Sequence, residues 1–275
     1  FDENIVVTLL NAARTCQHKK NWDEALDYYT EALIIKRYHE NKQSVACIMW
    51  KIGLLFEAKG ELKFAARALQ EVVDLQREAG QELQLSSTLN ALGLVQYNDG
   101  CYNLALSSFA EAIKIRNSLS EVHPRDIVTL YFNVAKVYNS IDETDKALQY
   151  FEKTLSLEHM RSPAEDNHKD IAALYREIGL IFRKKKKLKG AIRFFRLSAE
   201  RCLRYPDRID NAFAYKSFKI LGDVYLQTGD STNALQWYFT AMRIVGVDQE
   251  SRMLPDSVDL YEHVCKRNPQ AAAAA

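Results

Sequence analysis

The sequence is poor in the residues that punctuate a chain. Ten glycines and five prolines in 275 residues exclude a collagen-like, proline-rich or loop-dominated polypeptide. Charge of one sign is missing as well. Lys+Arg number 37 and Asp+Glu 36, so the whole molecule has no global drive toward nucleic acid or an anionic membrane. The five cysteines, Cys16, Cys47, Cys101, Cys202 and Cys265, lie far apart with no CxxC pair. That is neither a disulfide framework nor a zinc signature, and it points to the cytoplasm or another reducing intracellular compartment. No apolar run approaches the roughly 18–20 residues that span a bilayer, and no signal peptide opens the chain. It begins at Phe1, which reads as an excerpt of a longer protein, and Ala271 to Ala275 read as an uninformative tail.

Catalytic patterns are lacking too. The six histidines, His18, His39, His123, His159, His168 and His263, are scattered, with no HExxH and no His/Cys cluster at ligand spacing. There is no GxxxxGK phosphate loop, no GxSxG elbow and no GxGxxG after a strand. His123, followed by Pro124, reads as a loop residue opening the fourth unit described below, not as a base. The expectation is therefore a protein that is not an enzyme, with no catalytic residue, metal site or cofactor.

What is present is repetition. A small residue is followed twelve positions later by Ala, and four later by a ring or Leu: Ala13/Ala25/Tyr29, Gly53/Ala65/Leu69, Gly93/Ala105/Phe109, Ala135/Ala147/Phe151, Gly179/Ala191/Phe195 and Gly222/Ala234/Tyr238. The units recur at steps of 40, 40, 42, 44 and 43 residues without an internal gap. Each reads as two helices around a short polar turn. In the sixth, Phe218, Leu221, Val224 and Tyr225 form one helical stripe, and Ala234, Tyr238 and Ala241 another. Gly60, Gly100 and Gly229 occupy one turn slot, where glycine can take the left-handed conformation that ends a helix.

A glycine inside a helix costs about 1 kcal/mol relative to alanine, yet Gly53, Gly93, Gly179 and Gly222 stand mid-helix at one phase. The recurring cost implies a recurring packing need, a close approach of two helices. The ring four residues after the Ala is expected to fill the space toward the next pair. One pair cannot bury its own apolar face, but a stack can. The expected fold is all-α, with units at about 4–40, 44–80, 84–120, 126–160, 170–205 and 213–246. Residues 256–267, with Val258, Tyr261 and Cys265 on one side, are expected to cap the open end.

Leu92-Gly93, Ile178-Gly179 with Phe182, and Leu221-Gly222 with Tyr225, each followed by the Ala and the ring, resemble the tetratricopeptide repeat signature. The resemblance covers residues of about 4 to 245 and implies a right-handed superhelical α-α solenoid of six helix-turn-helix repeats. The chain departs from the family in length. A usual repeat has about 34 residues and a closing Pro. Arg37, Arg77, Asn117, His159, Leu203 and Gly246 stand in that slot here. Without the breaker, the second helix is expected to run on by roughly two turns. Lengthened repeats of this kind look like those of kinesin light chains and spindle-orienting adaptors, supported by His123-Pro124 and by Glu78-Ala-Gly80 ahead of their units. HEAT and armadillo repeats share the period but lack the small–Ala–ring triple.

In the family, ligands meet the concave face built from the first helix of each pair. Carried over, the resemblance places Trp50, Leu54, Asn90, Leu94, Tyr97, Phe132, Asn133, Lys136, Asn139, Arg176, Arg183, Lys216 and Lys219 in a partner-binding groove. Its front is apolar and aromatic and its back cationic. Between them, Asn90, Asn133 and Asn139 can both donate to and accept from a peptide backbone. Each aromatic also reads as packing between neighbouring units. The Lys/Asn pair four apart that opens the dicarboxylate clamp of chaperone cofactors is absent.

Residues 161–220 hold 16 Lys+Arg against 7 Asp+Glu, whereas the remainder holds 21 against 29. The run Arg183-Lys-Lys-Lys-Lys-Leu-Lys189 reads as a solvated turn, or as part of a surface for an acidic motif or phosphates. Three functions follow. The first is a non-enzymatic scaffold or adaptor whose groove takes an extended or helical protein segment, apolar at one end and acidic at the other. The second is a subunit of a large assembly working through convex or end surfaces. The third, which the few aromatics near the basic stretch support poorly, is nucleic-acid binding through residues 161–220.

Overall fold

The computed structural model describes residues 2–119, 124–160 and 167–245. Among the described residues it is all-α. Two compact units divide the chain, residues 1–143 and 144–275. The first holds α1 (Asp2–His18), α2 (Trp22–Tyr38), α3 (Lys42–Lys59), α4 (Leu62–Glu78), α5 (Glu82–Asn98), α6 (Tyr102–Ser118) and α7 (Pro124–Ser140). The second holds α8 (Thr144–Met160), α9 (His168–Lys184), α10 (Leu188–Arg204), α11 (Asn211–Gln227) and α12 (Ser231–Val245), with a short 3-10 helix at Pro206–Arg208. The proposed capping helix at 256–267, the residue His123 and the alanine tail lie outside the described residues.

Within each unit, consecutive helices pack antiparallel-fashion on their neighbours: α1 on α2, α3 on α4 and α5 on α6 in the first, α9 on α10 and α11 on α12 in the second. The turn inside a pair explains why. Lys20, Gly60, Gly100, Asp142, Lys186 and Gly229 all have positive φ, between 57° and 82°, at one slot of the repeat. The next amide then reaches back five residues, as Glu61 N does to Phe56 O at 2.9 Å and Lys187 N to Phe182 O at 2.9 Å. This closes the helix on two of its orphan carbonyls and reverses the chain. The slot is left-handed in glycine and non-glycine repeats alike.

The glycines of the first helices touch the second helix of their own pair. A Cβ on Gly93 would stand 2.6 Å from the Phe109 ring, on Gly179 2.7 Å from Phe195 and on Gly222 2.5 Å from Tyr238. The ring thus fills space inside its own pair, which corrects the expectation that it reaches toward the next. The reason is geometric: at these three glycines the ring edge occupies the space that a Cβ would need. Gly53 is gentler, its neighbour being the Leu69 side chain at 3.0 Å.

The run-on of the second helix is also corrected. Helices α2, α4 and α10 end at Tyr38, Glu78 and Arg204, one residue past the slot where a proline would stand. Left-handed Glu40 (φ 51°) and Gly80 (φ 65°) stop α2 and α4, and Pro206 follows Tyr205 after α10. The extra residues lie ahead of the small residue. The first helices α3, α5, α9 and α11 begin at Lys42, Glu82, His168 and Asn211, about three turns before the glycine. Asn41 caps α3 through Ser44 N at 2.9 Å, and Asp210 caps α11 through Phe213 N at 2.8 Å.

Candidate functional site

In the first unit the structure brings the expected residues of α5 and α7 into direct contact. Asn133 donates its side-chain amide to Asn90 Oδ1 at 2.9 Å. The Tyr97 hydroxyl lies 3.0 Å from Ser140 Oγ, and the Lys136 ammonium sits 5.2 Å above the Tyr97 ring centre. Neighbouring first helices are thus joined by a polar and aromatic strip. Asn133 is buried, and one of its donors is already taken by Asn90. Asn139 is half-buried, and its Oδ1 has no hydrogen-bond partner among the described residues. Leu94 and Phe132 are half-buried beside the strip.

Arg116 of α6, buried to 6 % exposure, ties α5 to α7. It donates to Asp126 Oδ2 at 2.7 Å and to Ser87 Oγ at 2.9 Å. A lone arginine at the end of a second helix gave no such signal in the sequence, because its partners come from two other helices.

Trp50 and Leu54 line a cleft of about 400 Å³ with Arg14, Gln17, Tyr29, Ala46, Cys47, Lys51 and Gln76. Trp50 also packs against the core formed by α1 to α4, as its packing reading expects. Arg14 and Gln17 were not among the expected residues, since the first repeat was left out of the carry-over. The positions one and four after Ala13 would have named them.

In the second unit Arg176 lies over an aromatic ring, its guanidinium carbon 4.2 Å from the centre of Phe213. Arg183 and Lys219 are half-buried and Lys216 is exposed. Tyr238 donates to Asp223 Oδ1 at 2.8 Å, and burial, with the Asp223 carboxylate second, pushes its phenol well above the ordinary tyrosine range. His168 stacks on Tyr205 with centres 3.6 Å apart and an angle of 7°. The basic run is partly neutralised inside the unit: Lys185 pairs with Asp145 at 2.5 Å, and Lys169 with Asp210 at 2.5 Å.

The described residues contain no group of three His, Cys, Asp or Glu side chains placed to hold a metal ion. Burial pushes the Cys202 thiol up to about 11, away from the thiolate form that attacks. Among the described residues no helix is long and apolar enough to cross a membrane.

The sequence profile of the tetratricopeptide repeat matches residues 4–78 and 84–157, more than half of the chain, which belongs to this family. No curated protein sequence matches it. Solved structures share the fold at low identity. BtubC (BKLC) from P. vanneervenii is 15% identical with a TM-score of 0.65, covering 92% of this chain and 94% of its own. The nearly identical repeats of a putative kinesin light chain from P. anserina give 14% and 0.62, covering 74% and 96%. The quorum sensor NprR from B. thuringiensis gives 13% and 0.65, covering 94% and 74%. Arrays of this family serve as protein-interaction surfaces, and these likenesses show the fold alone.

Proposed function

We propose that the chain is a non-enzymatic interaction module, a scaffold or adaptor, whose first helices receive a segment of a partner protein. The α5–α7 strip supports this most: Asn90, Tyr97, Asn133, Lys136 and Ser140 are joined side chain to side chain on adjacent first helices. Lys136 makes no ion pair among the described residues and lies over the Tyr97 ring. Such a strip offers polar groups and a cation next to apolar Leu94 and Phe132, which suits a segment with apolar and acidic side chains. In the second unit, Arg183 and Lys216 offer cations to acidic groups. The four described cysteines are free thiols, which agrees with a reducing compartment such as the cytoplasm.

A second reading, a subunit of a larger assembly, draws on the second helices. They carry Ile34 at 63 %, Tyr38 at 85 % and Phe64 at 54 % exposure, large apolar groups left to water. The nucleic-acid reading loses support because Lys169, Lys185 and Arg176 are engaged within the unit.

The deciding experiment compares partners co-purified from native extract by the wild type and two variants. Tyr97→Ala with Lys136→Glu alters the first-helix strip, and Ile34→Glu with Phe64→Glu alters the second helices. The proposal expects specific partners to be lost by the first pair and retained by the second. The reverse pattern, with both variants folded by circular dichroism, replaces it with the assembly reading.

A further inference from the structure

The cleft between α1 and α3 has an uneven hydrogen-bonding inventory. Two of its lining groups, Arg14 and Lys51, are cations with donors only, and among the described residues no carboxylate pairs with either. The two lining glutamines have their acceptors occupied. Gln17 Oε1 accepts from the Tyr29 hydroxyl at 3.2 Å, and Gln76 Oε1 accepts from Thr88 Oγ1 at 2.7 Å. Each also carries an amide NH2, again a donor, beside the second lone pair of its oxygen. The Trp50 indole N–H donates as well. Against this donor set stands an apolar wall of Ala46, Trp50 and Leu54, the last 36 % exposed.

From this complementarity we propose that the cleft is a side-chain receptor for a partner segment carrying a bulky apolar residue beside a carboxylate. The apolar group lies on Trp50 and Leu54, and the carboxylate takes charge-assisted hydrogen bonds from Arg14 and Lys51. The same cleft favours a carboxylate over its amide isostere, because the amide brings one acceptor oxygen in place of two and no charge to Arg14 and Lys51. This inference rests on the reading of first helices as the binding face and names the ligand chemistry at one end of it.

The thiol of Cys47 lines the cleft and is exposed, and Cys101, also exposed, lies outside it. Their alkylation by iodoacetamide, followed by peptide mass spectrometry, therefore gives a signal and an internal reference. Three blocked hexapeptides with central Phe-Glu, Phe-Gln or Ser-Glu serve as probes, at up to about 10 mM. The Phe-Glu peptide should slow alkylation of Cys47 relative to Cys101, at concentrations about 10-fold lower than the other two. Arg14→Gln with Lys51→Gln should abolish the preference for Glu over Gln and leave the circular dichroism spectrum unchanged. Equal protection by the Glu and Gln peptides, protection by none, or a preference that survives the double variant overturns the inference. Partner capture distinguishes the two levels. Capture lost in Tyr97→Ala with Lys136→Glu but untouched by Arg14→Gln with Lys51→Gln removes the cleft and leaves the broader proposal standing. Capture indifferent to both removes the broader proposal.

Discussion

The two units of the chain are built from the same helix pair and dressed differently. In residues 1–143, polar side chains bond to one another across neighbouring helices of the same kind. Asn133 meets Asn90 on first helices, and Arg77 meets Glu111 at 2.8 Å on second helices. In residues 144–275, guanidinium groups lie over rings: Arg176 over Phe213, Arg201 over Tyr205 at 5.6 Å and Arg193 over Phe194 at 5.8 Å. Hydrogen bonds between side chains fix register, while a guanidinium over a ring is held by the electrostatic attraction of the ring face. The shared part, glycine against ring and a left-handed turn slot, sets the scaffold. The unshared part is free to define a surface.

The largest expected effect tests whether the scaffold is truly shared. Gly93→Ala in the first unit and Gly222→Ala in the second each drive a Cβ into an aromatic ring. Each should lose about 1–3 kcal/mol by urea denaturation, despite alanine's helix propensity. Gly53→Ala meets only a leucine and should lie near zero, since propensity gains about 1 kcal/mol there. Equal losses at all three positions would break the account of the rings. Next in size, Arg176→Gln should cost about 1–2 kcal/mol, because its charge rests on a ring at half-buried depth. A variant as stable as wild type would show that the cation–ring contacts of the second unit are ornamental.

Lys186→Gly should stabilise the protein by about 1 kcal/mol, since a side chain at positive φ is strained where glycine is not. Thermal unfolding checks it, and Gly100→Ala in the first unit should shift in the opposite direction. The smallest effect is acid-linked. The Asp210 carboxyl is held below the usual range, chiefly by the Lys169 ammonium and then by the Phe213 amide. Its contribution is full above the ordinary aspartate value of about 3.9 and is lost as pH falls through the lowered folded value. With half the side chain in water, the Lys169→Met change in acid stability should stay below about 1 kcal/mol.

The repeat, the helix pairs and the glycine turn slot were legible because each rests on a residue type whose physics is local. Gly60, Gly100 and Gly229 announce φ > 0, and small residues at one helical phase announce close packing. Lys20, Asp142 and Lys186 take the same turn without announcing it. The partner of each ring was misread because spacing alone does not say which neighbour a side chain faces. The α5–α7 residues were legible by position, but their mutual bonds were not. Asn90 and Asn133 lie 43 residues apart, and only the packed helices show that one has bound the other. The cleft donors Arg14 and Lys51 look like ordinary surface cations until the pairing of both glutamines is seen.

Hydrogen–deuterium exchange of the intact protein with and without a co-purified partner tests the central claim most directly. Binding at first helices predicts slowed exchange concentrated in α5 and α7, with α2, α4 and α6 unchanged. Protection confined to α2, α4 and α6 would contradict it.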